Sequence, residues 1–335
     1  MKDDALIWCR DLPILLADVY EKTQSPLPPK PELRLIDVIE WLGRIPSRRT
    51  RRIYFSDVLT HERILSPYEL SGIRQLCSAM ARGGSLLSFL GDTTASIRRR
   101  SNNDRKRKWA NHDIFFADWG LLHFHLGADL EGKGGRVMRS RRVLIARLTD
   151  DAAYLIDVVP HGRGFGDLWG KIELLETLYR NWPETIDRFE LKGILPGKQH
   201  SAADYIALRR SGVSVPITLA GKMFLTPGFG ISMDGSSVLA VERAITIRRE
   251  LDYAEEVYAQ QHATERAILF ISKNASVGFF NPDTQLAVSV LHGRKREHQT
   301  TLFFERLNEE TGILDSIPEG AIWTPAAEHS TSNFS

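Results

Sequence analysis

Residues 141–161 read RRVLIARLTDDAAYLIDVVPH. Two runs of mostly aliphatic residues, 143–148 and 153–159, flank the short acidic turn Thr149-Asp150-Asp151. Runs of this length on either side of a tight turn predict a β-hairpin. The second strand must end at Pro160-His161-Gly162. Proline has no backbone N–H to donate to a hydrogen bond of the sheet, and glycine favours a turn. The hairpin therefore places a histidine at the end of a strand.

A second histidine-bearing strand is predicted upstream, at Leu122-His123-Phe124-His125-Leu126. Side chains alternate between the two faces of a strand, so His123 and His125 share one face and Phe124 takes the other. We expect the rings of His123, His125 and His161 to meet at the rim of one sheet. No other part of the chain concentrates so many titratable groups on predicted rigid elements.

The length of 335 residues is enough for two or three domains, and a net charge of +2 does not make the protein globally basic. Two cysteines cannot form a disulfide framework, and acids stand at the N-terminus where a secretion signal would carry bases. No apolar run approaches the roughly 18 residues that span a bilayer. These features predict a cytoplasmic protein without a membrane partner.

The order of predicted elements favours an α+β fold, with a central antiparallel sheet flanked by helices. We expect a helical N-terminal region (1–90), a central α/β region that contains this sheet (91–212), a smaller α+β C-terminal domain (213–318) and a flexible tail (319–335). Within these segments, Ser66-Pro67-Tyr68-Glu69 predicts the start of a helix that ends at Gly83-Gly84. Two short strands are expected at 221–225 and 229–233.

Two segments are strongly basic. Seven basic residues and a single acid, Asp104, lie between positions 98 and 108, and a second set follows with no acid from 132 to 149. Clusters of this density suit either a solvated loop or a surface that binds a polyanion. The candidate nucleic-acid-binding residues are Arg98, Arg99, Arg100, Arg105, Lys106, Arg107, Lys108, Arg136, Arg139 and Arg141.

Residues 125–161 resemble the sheet of the RelE/HigB-type ribonuclease toxins. The shared pattern is Leu126-Gly127-Ala128-Asp129, then Gly132, bases from Arg136 to Arg142, a strand, an acidic turn, and a strand that ends in His161. The resemblance implies a metal-independent endoribonuclease of toxin or phage-defence type. The implied partners are RNA and a cognate antitoxin or other protein.

In the implied reaction the 2′-hydroxyl attacks the adjacent phosphate, so one group must accept a proton and another must protonate the leaving 5′-oxygen. His161 is the candidate acid or base, with His123 or His125 as the second proton-transfer group. Arg139, Arg141 and Arg142 are candidate phosphate clamps, and Arg142 is counted with the catalytic residues. Alternation along 141–147 sends Arg141 to the face of Val143, so not every arginine can face the site.

Several alternatives stay open. A His-x-His pair also binds metal ions, with Asp113, Asp118 or His161 as the third ligand, although no metal and no other cofactor is expected here. The chain contains no P-loop, no dinucleotide fingerprint and no nucleophile elbow. The alternatives to a ribonuclease are a non-catalytic nucleic-acid-binding protein and a structural or regulatory interaction protein.

Overall fold

The computed structural model describes residues 7–23, 31–91, 97, 113–127, 130–131, 136–138, 141–162, 170–197, 200–232, 236–260, 262, 267–271, 276–284, 286–291, 298–314 and 322–325. The chain forms two compact units, one of residues 40–240 and one of residues 1–39 with 241–335. This division differs from the four consecutive segments expected from the sequence, and those segments stay a prediction. Helices and mixed sheets together confirm the α+β class.

The unit of residues 40–240 is built on a four-stranded sheet. Its strands are β1 (Arg52–Phe55), β2 (Leu122–His125), β5 (Arg142–Leu148) and β6 (Ala152–Pro160), while β3 (Leu130–Glu131) and β4 (Arg136–Val137) form a separate small hairpin. The order in the sheet is β1-β6-β5-β2. The predicted β5–β6 hairpin is confirmed, with a register irregularity between Ile145 and Ala146. Because β1 pairs with β6 in parallel, the sheet is mixed rather than wholly antiparallel.

Each face of this sheet is covered by a helix. Helix α3 (Pro67–Arg82), which follows α1 (Ile7–Lys22) and α2 (Pro31–Arg44) in the chain, contributes Ile73, Leu76 and Met80 to the core on one face. Its start is the predicted one: Ser66 and Glu69 form a capping box. On the other face lies a core that receives Leu174, Leu175 and Leu178 from the helix Glu173–Asn181.

Burial on both faces explains the apolar run from Val143 to Ala146 in β5, where every residue is buried. A strand covered by helices on both sides does not show the polar and apolar alternation of a half-exposed strand. The turn after β5 is closed by Thr149, which accepts a hydrogen bond from the Ala152 amide through its hydroxyl.

Shorter elements complete this unit. Helix α4 is Ile114–Trp119, α5 is the helix Glu173–Asn181, and α6 is Ala202–Arg210, which begins with a capping box from Ser201 and Asp204. A final hairpin pairs β7 (Ile217–Leu219) with β8 (Lys222–Phe224). The prediction of a strand at 229–233 is wrong. Within the described residues Ile231 makes only an isolated bridge to Ser237, and β8 pairs with β7, which precedes β8 in the chain.

The unit of residues 1–39 and 241–335 has its own four-stranded sheet. Its strands are β9 (Ile268–Ile271), β10 (Val277–Asn281), β11 (Leu286–Leu291) and β12 (Ile322–Pro325), in the order β12-β11-β10-β9. The helices are α1, the first part of α2, most of α7 (Val238–Ala259), and α8 (Gln299–Thr311). Strand β12 pairs with β11 in parallel, so this part of the segment expected to be a flexible tail is held in a sheet.

Side chains tie the helices of this second unit together. The Trp8 indole donates to Asp252 at 2.8 Å, which joins α1 to α7. The Glu250 carboxylate accepts hydrogen bonds from the amides of Gln299 and Thr300, so a side chain of α7 caps the start of α8. None of the helices in the described part of the chain combines the length and the hydropathy needed to span a lipid bilayer.

Candidate functional site

His123, His125 and His161 lie next to one another at the rim of the sheet, as predicted. The ring centroids of His123 and His125 are 6.2 Å apart, and those of His161 lie 5.5 Å from His123 and 5.6 Å from His125. One ring nitrogen from each residue lies within 4.8 Å of the other two. We call this group the histidine cluster.

Strand pairing accounts for the position of each ring. His123 pairs with Ile145 and His125 with Val143, so both imidazoles lie on the face of the Val143 and Ile145 side chains. Phe124, between them, is completely buried in the core on the opposite face. His161 follows β6 directly, and its amide donates to the Arg141 carbonyl at 2.8 Å, which continues the pairing by one residue. Period-two alternation therefore brings two strand residues and one strand end together.

The cluster is partly covered. His125 is 5% exposed, whereas His123 and His161 are half-buried. Burial lowers the pKa of His123, and the Asp113 carboxylate opposes this shift only in part. At neutral pH the His123 ring is therefore neutral and offers a nitrogen lone pair. A neutral imidazole of this kind serves either as a general base or as a metal ligand.

Of the alternatives for a third metal ligand, the geometry selects His161. Asp118 is buried in an ion pair with Arg209 and does not belong to the group of possible ligands within 4.8 Å. Asp113 caps α4 by accepting a hydrogen bond from the Phe116 amide at 3.1 Å. Its carboxylate influences His123 through space, but Asp113 is likewise not a member of that group.

Gly91 belongs to the site and was missed in the sequence. A Cβ atom built on Gly91 would lie 3.6 Å from Nε2 of His125 and 3.8 Å from Nε2 of His123. A residue without a side chain therefore stands next to both ring nitrogens. The only signal in the sequence is a glycine after the apolar run 86–90, which indicates a turn but not what lies beside it.

Arg142 was predicted to act with the catalytic histidines, but its side chain points away from the histidine cluster. Its guanidinium lies on the face covered by α3, where it donates to Glu69 at 3.3 Å and to the Ile64 carbonyl at 3.1 Å. It also donates to the Val158 carbonyl at 3.2 Å. The reason is alternation: Val143 lies beside His125, so the preceding residue must point the other way.

The other predicted basic residues divide into three groups. Arg141 is exposed, and its carbonyl accepts the hydrogen bond from the His161 amide, so it lies next to the cluster. Arg136 lies in β4, and its side chain is outside what the structure describes. The remaining ones lie outside the described residues: Arg98, Arg99, Arg100, Arg105, Lys106, Arg107, Lys108 and Arg139.

A cleft of about 570 Å³ opens on the histidine face of the sheet. Its walls include Val159 and Pro160, the two residues before His161, although the histidines themselves are not among its lining residues. Asp157 lies in the same wall and forms a two-pronged ion pair with Arg63, with nitrogen–oxygen distances of 2.5 and 2.6 Å.

The comparisons with known proteins found no matching family model, no matching curated protein and no matching solved structure. The resemblance of residues 125–161 to RelE/HigB-type toxins therefore stays a prediction.

Proposed function

We propose that the histidine cluster is the catalytic centre of a ribonuclease that cleaves RNA by attack of the 2′-hydroxyl. The observation that carries this proposal is the convergence of three imidazoles, from positions 123, 125 and 161, on one sheet rim. Cleavage of this kind needs two proton-transfer groups on either side of one phosphate. The proposal assigns these two roles to rings whose centroids lie 5.5 to 6.2 Å apart.

Each step of the reaction has a candidate group. His123, whose pKa is lowered by burial, accepts the proton of the 2′-hydroxyl as its oxygen bonds to phosphorus. His161, half-buried at the strand end, donates a proton to the 5′-oxygen as the bond from phosphorus to that oxygen breaks. The products are a 2′,3′-cyclic phosphate and a 5′-hydroxyl.

The developing negative charge on the phosphate oxygens needs a cation beside the cluster. Arg141 is the described arginine next to the cluster, and its exposed guanidinium is available to the phosphate oxygens. The choice of RNA as substrate is supported by the basic segments in the sequence and by the resemblance to ribonuclease toxins.

The test uses the purified full chain and an RNA oligonucleotide labelled at its 5′ end. We expect cleavage that leaves a 2′,3′-cyclic phosphate, and no cleavage where a 2′-deoxynucleotide replaces the attacking nucleotide. His161→Ala should lower the cleavage rate by about 10²- to 10⁴-fold. His61→Ala is the matched control, because His61 is exposed and lies in the short helix Val58–Glu62, outside the histidine cluster.

Two results would contradict the proposal. One is the absence of RNA cleavage by the folded wild-type protein. The other is a cleavage rate that stays unchanged in each of the variants His123→Ala, His125→Ala and His161→Ala, with folding checked by circular dichroism. If His161→Ala does not fold, His161→Asn provides the same test with a more similar side chain.

A further inference from the structure

We propose that His123, His125 and His161 together bind one divalent transition-metal ion, with Zn²⁺ as the reference case, and that the bound ion blocks the proposed RNA cleavage. The metal site rests on the geometry alone, whereas the inhibition rests on the proposed function. The ion would act as a regulator of the cluster rather than as its cofactor.

The distances within the cluster suit one ion. Each histidine offers a ring nitrogen, and these nitrogens all lie within 4.8 Å of one another. Zinc binds histidine at about 2.0–2.1 Å in a tetrahedral arrangement, which holds its ligand nitrogens about 3.4 Å apart. The ring nitrogens must therefore approach one another by up to about 1.4 Å when the ion binds, which is the difference between 4.8 Å and about 3.4 Å.

Gly91 leaves room for an ion beside the ligands. The nearest atoms to a Cβ built on this residue are the Nε2 atoms of His125 and His123, at 3.6 and 3.8 Å. Any side chain at position 91 would therefore extend towards the nitrogens that would hold the metal. This glycine does not have the positive φ that glycine often supplies, so its conformation alone does not require the absence of a side chain.

The ligand set determines the class of ion. Three imidazole nitrogens with no carboxylate in the group favour Zn²⁺, Cu²⁺, Ni²⁺ or Co²⁺ over Mg²⁺ and Ca²⁺, which prefer oxygen ligands. Three protein ligands leave a fourth position of a tetrahedral ion to water.

Inhibition follows from the use of the same nitrogens. An imidazole nitrogen that donates its lone pair to a metal ion cannot accept the 2′-hydroxyl proton, and it carries no proton to give to the 5′-oxygen. Binding of the ion to a protonated cluster releases the proton to solvent. Removal of the ion restores the lone pairs, so the inhibition should be reversible with a chelator.

The experiment measures metal binding and cleavage separately on the full chain. After treatment with a chelator, titration with Zn²⁺ by isothermal calorimetry should give one site per chain, and Mg²⁺ should give no heat of binding at that site. Substitution with Co²⁺ should produce the visible absorption of a tetrahedral nitrogen site. His161→Ala removes one of the three ligands and should weaken zinc binding by more than the roughly 10- to 100-fold that loss of an outer-shell partner costs.

A second variant avoids the removal of a ligand. Gly91→Val adds a branched side chain whose Cβ would lie 3.6 and 3.8 Å from Nε2 of His125 and His123, and it should weaken zinc binding while all three imidazoles remain. Gly43→Val is the matched control, because a Cβ there would approach only one atom, Cε1 of Phe116, at 4.0 Å. We expect the control to bind zinc as the wild type does.

The outcomes separate the two proposals. Zinc binding at one site with zinc-inhibited cleavage supports both. Zinc binding in a protein that does not cleave RNA supports the metal site and contradicts the ribonuclease. Cleavage by a protein with no histidine-dependent zinc site overturns the metal proposal, and cleavage that increases with added zinc overturns the inhibition.

Discussion

Arg209 and Asp118 form an ion pair inside the unit of residues 40–240, with the Arg209 Nε 2.5 Å from the Asp118 Oδ2. The two side chains are only 4% and 2% exposed, and the guanidinium lies 4.1 Å from the centre of the Trp119 ring. The pair joins α6 to α4, the helix that precedes the histidine strand β2.

Because the pair is buried, removal of one partner should be costly. Arg209→Met leaves the Asp118 carboxylate in the interior without its cation, and such changes lower the free energy of unfolding by about 3–5 kcal/mol. Urea denaturation followed by tryptophan fluorescence measures this loss. A loss below about 1 kcal/mol would mean that the carboxylate finds water or another donor.

Arg147, like Arg209, is a buried arginine, but within the described residues it forms no ion pair with a carboxylate. It is 5% exposed, its guanidinium lies 5.6 Å from the centre of the Phe189 ring, and its Nε has no hydrogen-bond partner among the described residues. Burial, and then the charge of Arg188, lower the pKa of Arg147 to about 10. Arg147→Met keeps the contact with Phe189 and removes a desolvated charge, so the melting temperature should stay equal or rise. A fall as large as that of Arg209→Met would contradict this view.

Arg141 and Arg142 should have opposite effects, because Arg142 is bonded to Glu69 on the face covered by α3 whereas Arg141 is exposed next to the cluster. Arg142→Gln breaks the contact with Glu69 and should lower the free energy of unfolding by about 1–3 kcal/mol. It should leave RNA cleavage nearly unchanged at a temperature where the variant is folded. Arg141→Gln should reduce cleavage about tenfold with no change in stability, as expected for one exposed phosphate contact. Loss of cleavage in Arg142→Gln but not in Arg141→Gln would contradict the proposal that the substrate binds at the histidine cluster.

Acid should weaken the link between Asp57 and α5. The Arg180 guanidinium and then the Asn181 amide hold the pKa of Asp57 well below its usual range. A carboxyl whose pKa is lowered in the folded state stabilises the fold at any pH above its unfolded-state pKa of about 3.9. This stabilisation is lost as the pH falls below that value towards the folded-state pKa. The effect should be small, since both partners are over one-third exposed.

The measurement for Asp57 compares urea denaturation at pH 6 and pH 3. The wild type should lose more stability over this interval than Asp57→Asn does, and Arg180→Gln should behave like Asp57→Asn. Equal pH dependence in all three proteins would show that the pair contributes nothing measurable.

Cys77 should react slowly with thiol reagents. Burial raises the pKa of its thiol to about 11, so roughly one molecule in a thousand carries the thiolate at pH 8. Peptide mapping after a short exposure to iodoacetamide should find Cys77 unmodified in the native protein and modified in urea. Rapid labelling of Cys77 in the native state would contradict the burial of this side chain.

Much of the local structure follows from neighbouring residues. The capping box at Ser66 and the turn at Thr149 each involve groups three residues apart, so the sequence displays both partners together. The shared face of His123 and His125 follows from the period of a strand. These features were predicted from residue types and spacing.

The composition of the site was only partly visible in advance. β5 is buried on both faces, so its apolar sequence does not indicate which face carries the cluster, and Arg142 was counted with the catalytic residues although it donates to Glu69. Gly91 approaches the histidines from more than thirty positions away, and no local pattern marks such a contact.

The sequence by itself determined the class of the fold, the β5–β6 hairpin and the placement of two histidines on a strand and one just after a strand, because these depend on local propensity and alternation. Tertiary structure alone decided that β1 joins β6 in parallel, that Arg209 neutralises Asp118, and that Gly91 stands beside the imidazoles. Those contacts join residues far apart in the chain. They depend on how helices and strands pack into one core, which no short stretch of residues encodes.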